Sequence, residues 1–117
     1  MSENKGTVET NLESMDRLDF DGWNNADWQN VFSHFHTDDV HVDVKGSQPT
    51  DGLREHIDAM KAMVGGDGTQ APQIVSHPIR FGSGDWTAVV GEFADGGRMV
   101  TIAHWQDGAI AEEYIWL

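Results

Sequence analysis

Three histidines and three aspartates fall within the eleven residues "HFHTDDVHVDV", 34 to 44, and a histidine and two glutamates stand close together in "HWQDGAIAEEY", 104 to 114. Imidazole and carboxylate are the side chains that ligate divalent cations or exchange protons near neutral pH. The chain has no cysteine, so disulfides, thiolate metal sites and cysteine nucleophiles are excluded. Any metal would have to rely on histidine and carboxylate ligands.

Helical spacing argues against a cation in the first stretch. On a helix His34 and His36 point about 200° apart and cannot share an ion. Phe35 continues the apolar stripe of Trp28, Val31 and Phe32, which puts His34 on a solvated flank and His36 near the helix C-terminus, where the dipole favours an imidazolium. The cluster is read as surface and capping residues, and neither a metal nor another cofactor is expected.

The elements around these residues follow from periodicity. Val8, Leu12, Met15 and Leu18 recur at helical spacing until Asp21-Gly22. A second short helix carries the Trp28 stripe, with Asn24 or Asn25 as its cap. From Asp39 the period changes to two: Val40, Val42 and Val44 alternate with His41, Asp43 and Lys45, the mark of a strand with one buried face. After the turn "GSQPTDG", Leu53, Ile57, Met60 and Val64 predict a third helix, capped by Asp51 and stopped at Gly65-Gly66. Four strands follow, at 73–81, 86–94, 98–106 and 109–117, separated by the hairpin signals "GSGD", "DGG" and "DG".

At 117 residues this is a single domain over 1–117, with residues 1–9 expected as a loose N-terminus. Seven basic against twenty acidic residues give a formal charge of −13, so polyanionic nucleic acid and anionic membrane surfaces would be repelled. No apolar run is long enough to span a bilayer, and the N-terminal residues lack a basic region followed by an apolar stretch. A cytoplasmic location is the expectation.

Helices first, one strand between the second and third, then an antiparallel meander make an α+β domain. This order resembles the nuclear transport factor 2-like cone, in which three helices pack in a curved, mostly antiparallel sheet. "WNNADWQNVFSHFHTDDVHVDV", "GSQPTDGLREHI", "GDWTAVVGEF" and "HWQDGAIAEEY" resemble the family's segments, especially in its SnoaL-like polyketide cyclase and ketosteroid isomerase branches. The resemblance covers roughly residues 10 to 117 and implies an apolar pocket between helices and sheet, and commonly a homodimer formed through the sheet. It does not imply a reaction, because such a fold hosts many.

The isomerase branch implies a proton-shuttling aspartate near Asp43, although counting from Asp38-Asp39 lands on Val44. Its tyrosine donor on the first helix has no counterpart, since Tyr114 is the only tyrosine, and Ala103 replaces the acid before the His-aromatic pair. The cyclase branch carries a histidine at the His104 position but continues to an aspartate beyond the place where this sequence ends. Val100, Ile102 and His104 share one strand face, and Ile110, Glu112, Tyr114 and Trp116 another. If both faces line the cone, His104 and Glu112 meet in the pocket as proton-transfer group and carboxylate partner, with Asp43 a second base. Trp28, His56, Met60, Tyr114 and Trp116 would then line it, and His77 could face its mouth. The ligand expected is a small apolar or aromatic molecule, acted on by acid/base cyclase or isomerase chemistry; the other reading is a non-catalytic binding or dimerisation module.

Overall fold

The computed structural model describes residues 7–65 and 71–117. Helix α1, Val8–Arg17, opens at a capping box in which Thr7 and Thr10 each accept the other's backbone N–H. Residues 8 and 9, expected to be loose, are therefore already helical; residues 1–6 lie outside the described residues. The chain continues from α1 into a wide π-type segment, Leu18–Trp23, and a second one spans Trp28–Phe32. Asp27, not Asn24 or Asn25, caps the latter by accepting from the backbone of Asn30. Asn24 instead exchanges two 2.8 Å hydrogen bonds with the backbone of Ile74, tying the helical layer to the sheet. Gly22 sits where an added Cβ would lie only 3.1–3.2 Å from the backbone of Phe32, so the lack of a side chain permits the close approach of the two π-type segments.

Strand β1 is His36–Val44, followed by the short β2, Thr50–Asp51, and helix α2, Leu53–Met63. Gly52 stands at the N-terminus of α2 without a side-chain cap, so Asp51 is a strand residue and not the cap. Of the expected Gly65-Gly66 stop, Gly65 has a φ of 110°, a conformation glycine tolerates, and Gly66 lies outside the described residues. Strands β3 (Ile74–Ser83), β4 (Trp86–Phe93), β5 (Arg98–Gln106) and β6 (Ala109–Trp116) fall where alternation and the turn signals place them.

The six strands form one sheet in the order β2-β1-β6-β5-β4-β3, antiparallel except for the β1–β6 pair. This is the α+β cone with three helices and a curved, mostly antiparallel sheet. The concave face carries Val40, Val42, Val44, Val89, Ala103, Trp105 and Ile115, packed on Leu12, Met15, Trp28 and Phe32. Each fully buried large apolar side chain contributes about 1.5–3 kcal/mol. No helix among the described residues is long and apolar enough to cross a membrane.

Four irregularities in the ladder bear on what faces the interior. Between His36 and His41 β1 advances five residues while β6 advances two, from Ile110 to Glu112. Between Trp105 and His104 the partner changes from Ile110 to Glu112, which leaves Ala111 as an extra residue in β6. In β3 two steps from Ile74 to Ser76 oppose one in β4, and three steps from Ser76 to Ile79 oppose two, the latter at the Pro78 that cannot donate to the ladder.

Candidate functional site

The extra residue at Ala111 separates Ile110 from the alternation that follows. Ile110, Glu113 and Ile115 are buried, whereas Glu112, Tyr114 and Trp116 point to the outer face. On β5 the inward residues are Met99, Thr101, Ala103 and Trp105. His104 and Glu112 do meet, with Nδ1 3.4 Å from Oε1, but both side chains are about one-third exposed on the convex face. The expectation that these faces line the cone is corrected: β5 shows its other face to the core, and the β6 bulge breaks the simple alternation.

Asp43 lies on the same outer surface, opposite Tyr114 in register and 3.6 Å from the Lys45 ammonium. Tyr114 donates a 2.6 Å hydrogen bond to Glu112, which raises the phenol's pKa by favouring its protonated form. The convex face thus gathers His104, Glu112, Tyr114 and Asp43, while Trp86 stacks on His104 at 4.6 Å. Tyr114 and Trp116 do not line the interior. Trp28 is a core residue, edge-on to Trp23 and Phe32.

His56 and Met60 do face the interior. They line a small cavity of about 30 Å³ together with Asp19, Thr101 and Glu113, in a wall containing Met15, Met63 and Met99. That volume suits one water molecule. Four of the chain's five methionines surround it, and their unbranched, flexible side chains can repack around a ligand. Two larger clefts, each of 300–350 Å³, share lining residues with the cavity: one between β1 and α2 at Val42, Ala59 and Met60, the other beside Trp23, Phe93 and Leu117.

Two polar constellations meet this interior. The first is His36, His56 and Glu113, contributed by β1, α2 and β6, with His56 1 % and Glu113 2 % exposed. Glu113 Oε1 lies 3.2 Å from His36 Nε2 and 3.0 Å from His56 Nε2. Burial alone would push Glu113 up, but the two imidazoles hold its carboxyl well below the usual range. Burial pushes His56 down, outweighing the carboxylate. His36 was expected at the helix C-terminus; β1 begins at this residue, and its Nδ1 donates to Phe32 O at 2.8 Å, turning Nε2 inward. His34, by contrast, is exposed.

The second constellation runs outward. His77 Nε2 lies 2.8 Å from Asp19 Oδ2, His77 Nδ1 lies 2.8 Å from Asp16 Oδ1, and Asp16 Oδ2 accepts from Arg80 at 2.9 Å. The two shifts in β3, before and after Ser76, leave the His77 ring facing inward, where it stacks on Phe20. Burial raises the Asp19 pKa in spite of His77. For His77, burial pushes the pKa down, but the bonds to Asp19 and Asp16 prevail and raise it.

Asp19, His36 and Glu113 were not singled out from the sequence as interior residues. For Asp19 a signal exists: it continues the stripe of Leu12 and Met15 at helical spacing, a carboxylate where an apolar residue is due. For Glu113 no comparable signal exists, because its inward direction depends on the bulge.

No family model matches the sequence, and a search of curated proteins finds no match. Solved structures do match. A nuclear transport factor 2-like protein of unknown function from Burkholderia xenovorans superposes with a TM-score of 0.72 at 15 % identity, covering 92 % of this chain and 81 % of the other. A candidate SnoaL-like polyketide cyclase from a Jannaschia species gives 0.68 at 20 % identity, covering 98 % and 88 %. A candidate ketosteroid isomerase from Kribbella flavida gives 0.67 at 18 %, covering 92 % and 77 %. At these identities the likeness establishes the fold, which is nuclear transport factor 2-like, and leaves the chemistry to the site.

Proposed function

We propose that the protein binds a small apolar carbonyl compound in the methionine-lined interior and promotes proton transfer on it, as a cyclase or isomerase would. The observation that carries this reading is Asp19: a fully buried carboxyl on the cavity wall, with a raised pKa, connected through His77 to the partly exposed Asp16. A carboxyl whose pKa is raised by burial can give a proton to a carbonyl oxygen or take one from the adjacent carbon. His77, bonded to a carboxylate at each ring nitrogen, can pass that proton to Asp16 and restore Asp19 between turnovers. The ligand enters by displacing methionine side chains, since a cavity of about 30 Å³ has room for no more than a water molecule.

Deuterium exchange at the α-carbon of cyclohexenone and tetralone, followed by NMR, tests the reading. Exchange faster than buffer that is lost in Asp19→Asn supports it; equal rates in buffer, wild type and variant would sink it.

A second reading rests on a different surface. Ile79, Phe81, Trp86 and Trp116 are exposed on the convex face, with Val90, Val100 and Ile102 half-buried between them. An apolar sheet face of this kind suits a homodimer formed through the sheet, with His104, Glu112 and Asp43 at its polar margin. In that reading the protein is a non-catalytic binding or dimerisation module. Sedimentation of wild type against Phe81→Asp distinguishes a dimer from a monomer.

A further inference from the structure

We propose that His36, His56 and Glu113 form a binding site for a divalent transition-metal cation of the zinc class. The three residues come from three different elements, are buried, and place one ligand atom each within 4.8 Å of the others.

The hydrogen bonding around His36 makes the case. Its Nδ1–H is committed to Phe32 O, and in the neutral ring this leaves the Nε2 lone pair directed at Glu113 Oε1 only 3.2 Å away. Two lone pairs cannot face each other at that distance in a dry interior, so a positive charge must lie between them, either a second proton on the ring or a cation. A ring nitrogen that donates to a backbone carbonyl while its other nitrogen faces a carboxylate is the arrangement that orients metal-ligating histidines.

His56 supplies the independent observation. Its ring is 1 % exposed, yet neither nitrogen has a hydrogen-bond partner among the described residues. Nε2 lies 3.0 Å from Glu113 Oε1 but without hydrogen-bond geometry. A buried polar atom left unpaired costs about 1–3 kcal/mol, and a cation shared with Glu113 would satisfy Nε2.

The distances suit this. Ligands about 2.0–2.1 Å from a tetrahedral zinc lie about 3.3 Å apart, and two of the three contacts here are 3.2 Å and 3.0 Å. The adjoining cavity, about 30 Å³, has room for a water as the fourth ligand. Two imidazoles and a carboxylate form a donor set that zinc and iron(II) accept, and calcium or magnesium does not. The site stands on its own geometry and does not depend on the proton-transfer reading.

Chelator-treated full-length protein titrated with zinc chloride by calorimetry, and with cobalt(II) by visible absorption, tests the site. One ion per chain is expected, with the absorption bands of a four- or five-coordinate cobalt centre. Glu113→Gln and His56→Gln should each weaken zinc by more than about 100-fold, beyond the loss typical of outer-shell changes, while His34→Gln and His41→Gln leave it unchanged. Long-range proton–nitrogen NMR on the wild type covers the case in which a variant does not fold. A shift of His36 Nε2 and His56 Nε2 with one equivalent of zinc supports the site. Wild-type protein that takes up no zinc, zinc lost only in the surface variants, or a His36 ring doubly protonated in the presence of equimolar zinc would each overturn it.

Discussion

His36 Nε2 and Glu113 Oε1 stand 3.2 Å apart although 77 residues separate them in the chain. The β1–β6 pair that joins them is the one parallel pair in the sheet. Because both side chains are withdrawn from water, this contact and the neighbouring His56 bind together a strand near the N-terminus, a central helix and the last strand.

The first prediction contrasts two adjacent residues. Glu113→Ala leaves buried imidazoles without their carboxylate, and removal of one partner from a buried charged pair costs about 3–5 kcal/mol. Glu112→Ala on the convex face loses two partly solvated contacts, with His104 and Tyr114, each worth about 0–1 kcal/mol. Urea denaturation of the two variants checks this, and equal losses would show that the inward and outward assignments are wrong.

Asp19→Asn retains size but removes the proton. A positioned acid/base group contributes typically about 10²–10⁴-fold to a rate, so any proton-transfer activity should fall by at least about 100-fold. The far-ultraviolet circular dichroism of the variant should match wild type, which separates a chemical loss from unfolding.

The pH dependence of stability should carry the signature of His77. Its folded pKa is raised, by Asp19 and Asp16 against the effect of burial, and Arg80 faces Asp16 from the same strand. A histidine raised on folding contributes stability that is fully present below the unfolded value, about 6.5, and is lost as pH rises through the folded value. The difference in unfolding free energy between wild type and His77→Gln should therefore be largest in mild acid and shrink toward alkaline pH. A difference that grows with pH would contradict the assignment.

Deletion of Ala111 removes the extra residue of β6. Glu112 then follows Ile110 directly, so plain alternation keeps Glu112 outward and Glu113 inward, with no extra residue left in the ladder. The expected result is that cooperative unfolding is retained, measured by near-ultraviolet circular dichroism during a thermal scan. Loss of the cooperative transition would show that Ala111 is not simply an extra residue in the ladder.

Elements of this protein are legible in its sequence because local periodicity dictates them. Val40, Val42 and Val44 form the buried face of β1, the glycine- and aspartate-rich turns delimit β3 to β6, and the order of helices and strands leads to the cone. The direction of polar side chains is a different matter. Alternation alone turned Glu112 and His104 inward; the bulge at Ala111 and the choice of which β5 face meets the helices put Glu113 there instead. Periodicity also placed His36 at a helix end, whereas pairing with β6 draws it into the sheet. Composition and spacing are properties of neighbouring residues and determine secondary structure and core faces. The two interior clusters depend on ladder irregularities and on contacts among segments about 60 to 77 residues apart in the chain, so only the tertiary structure decided them.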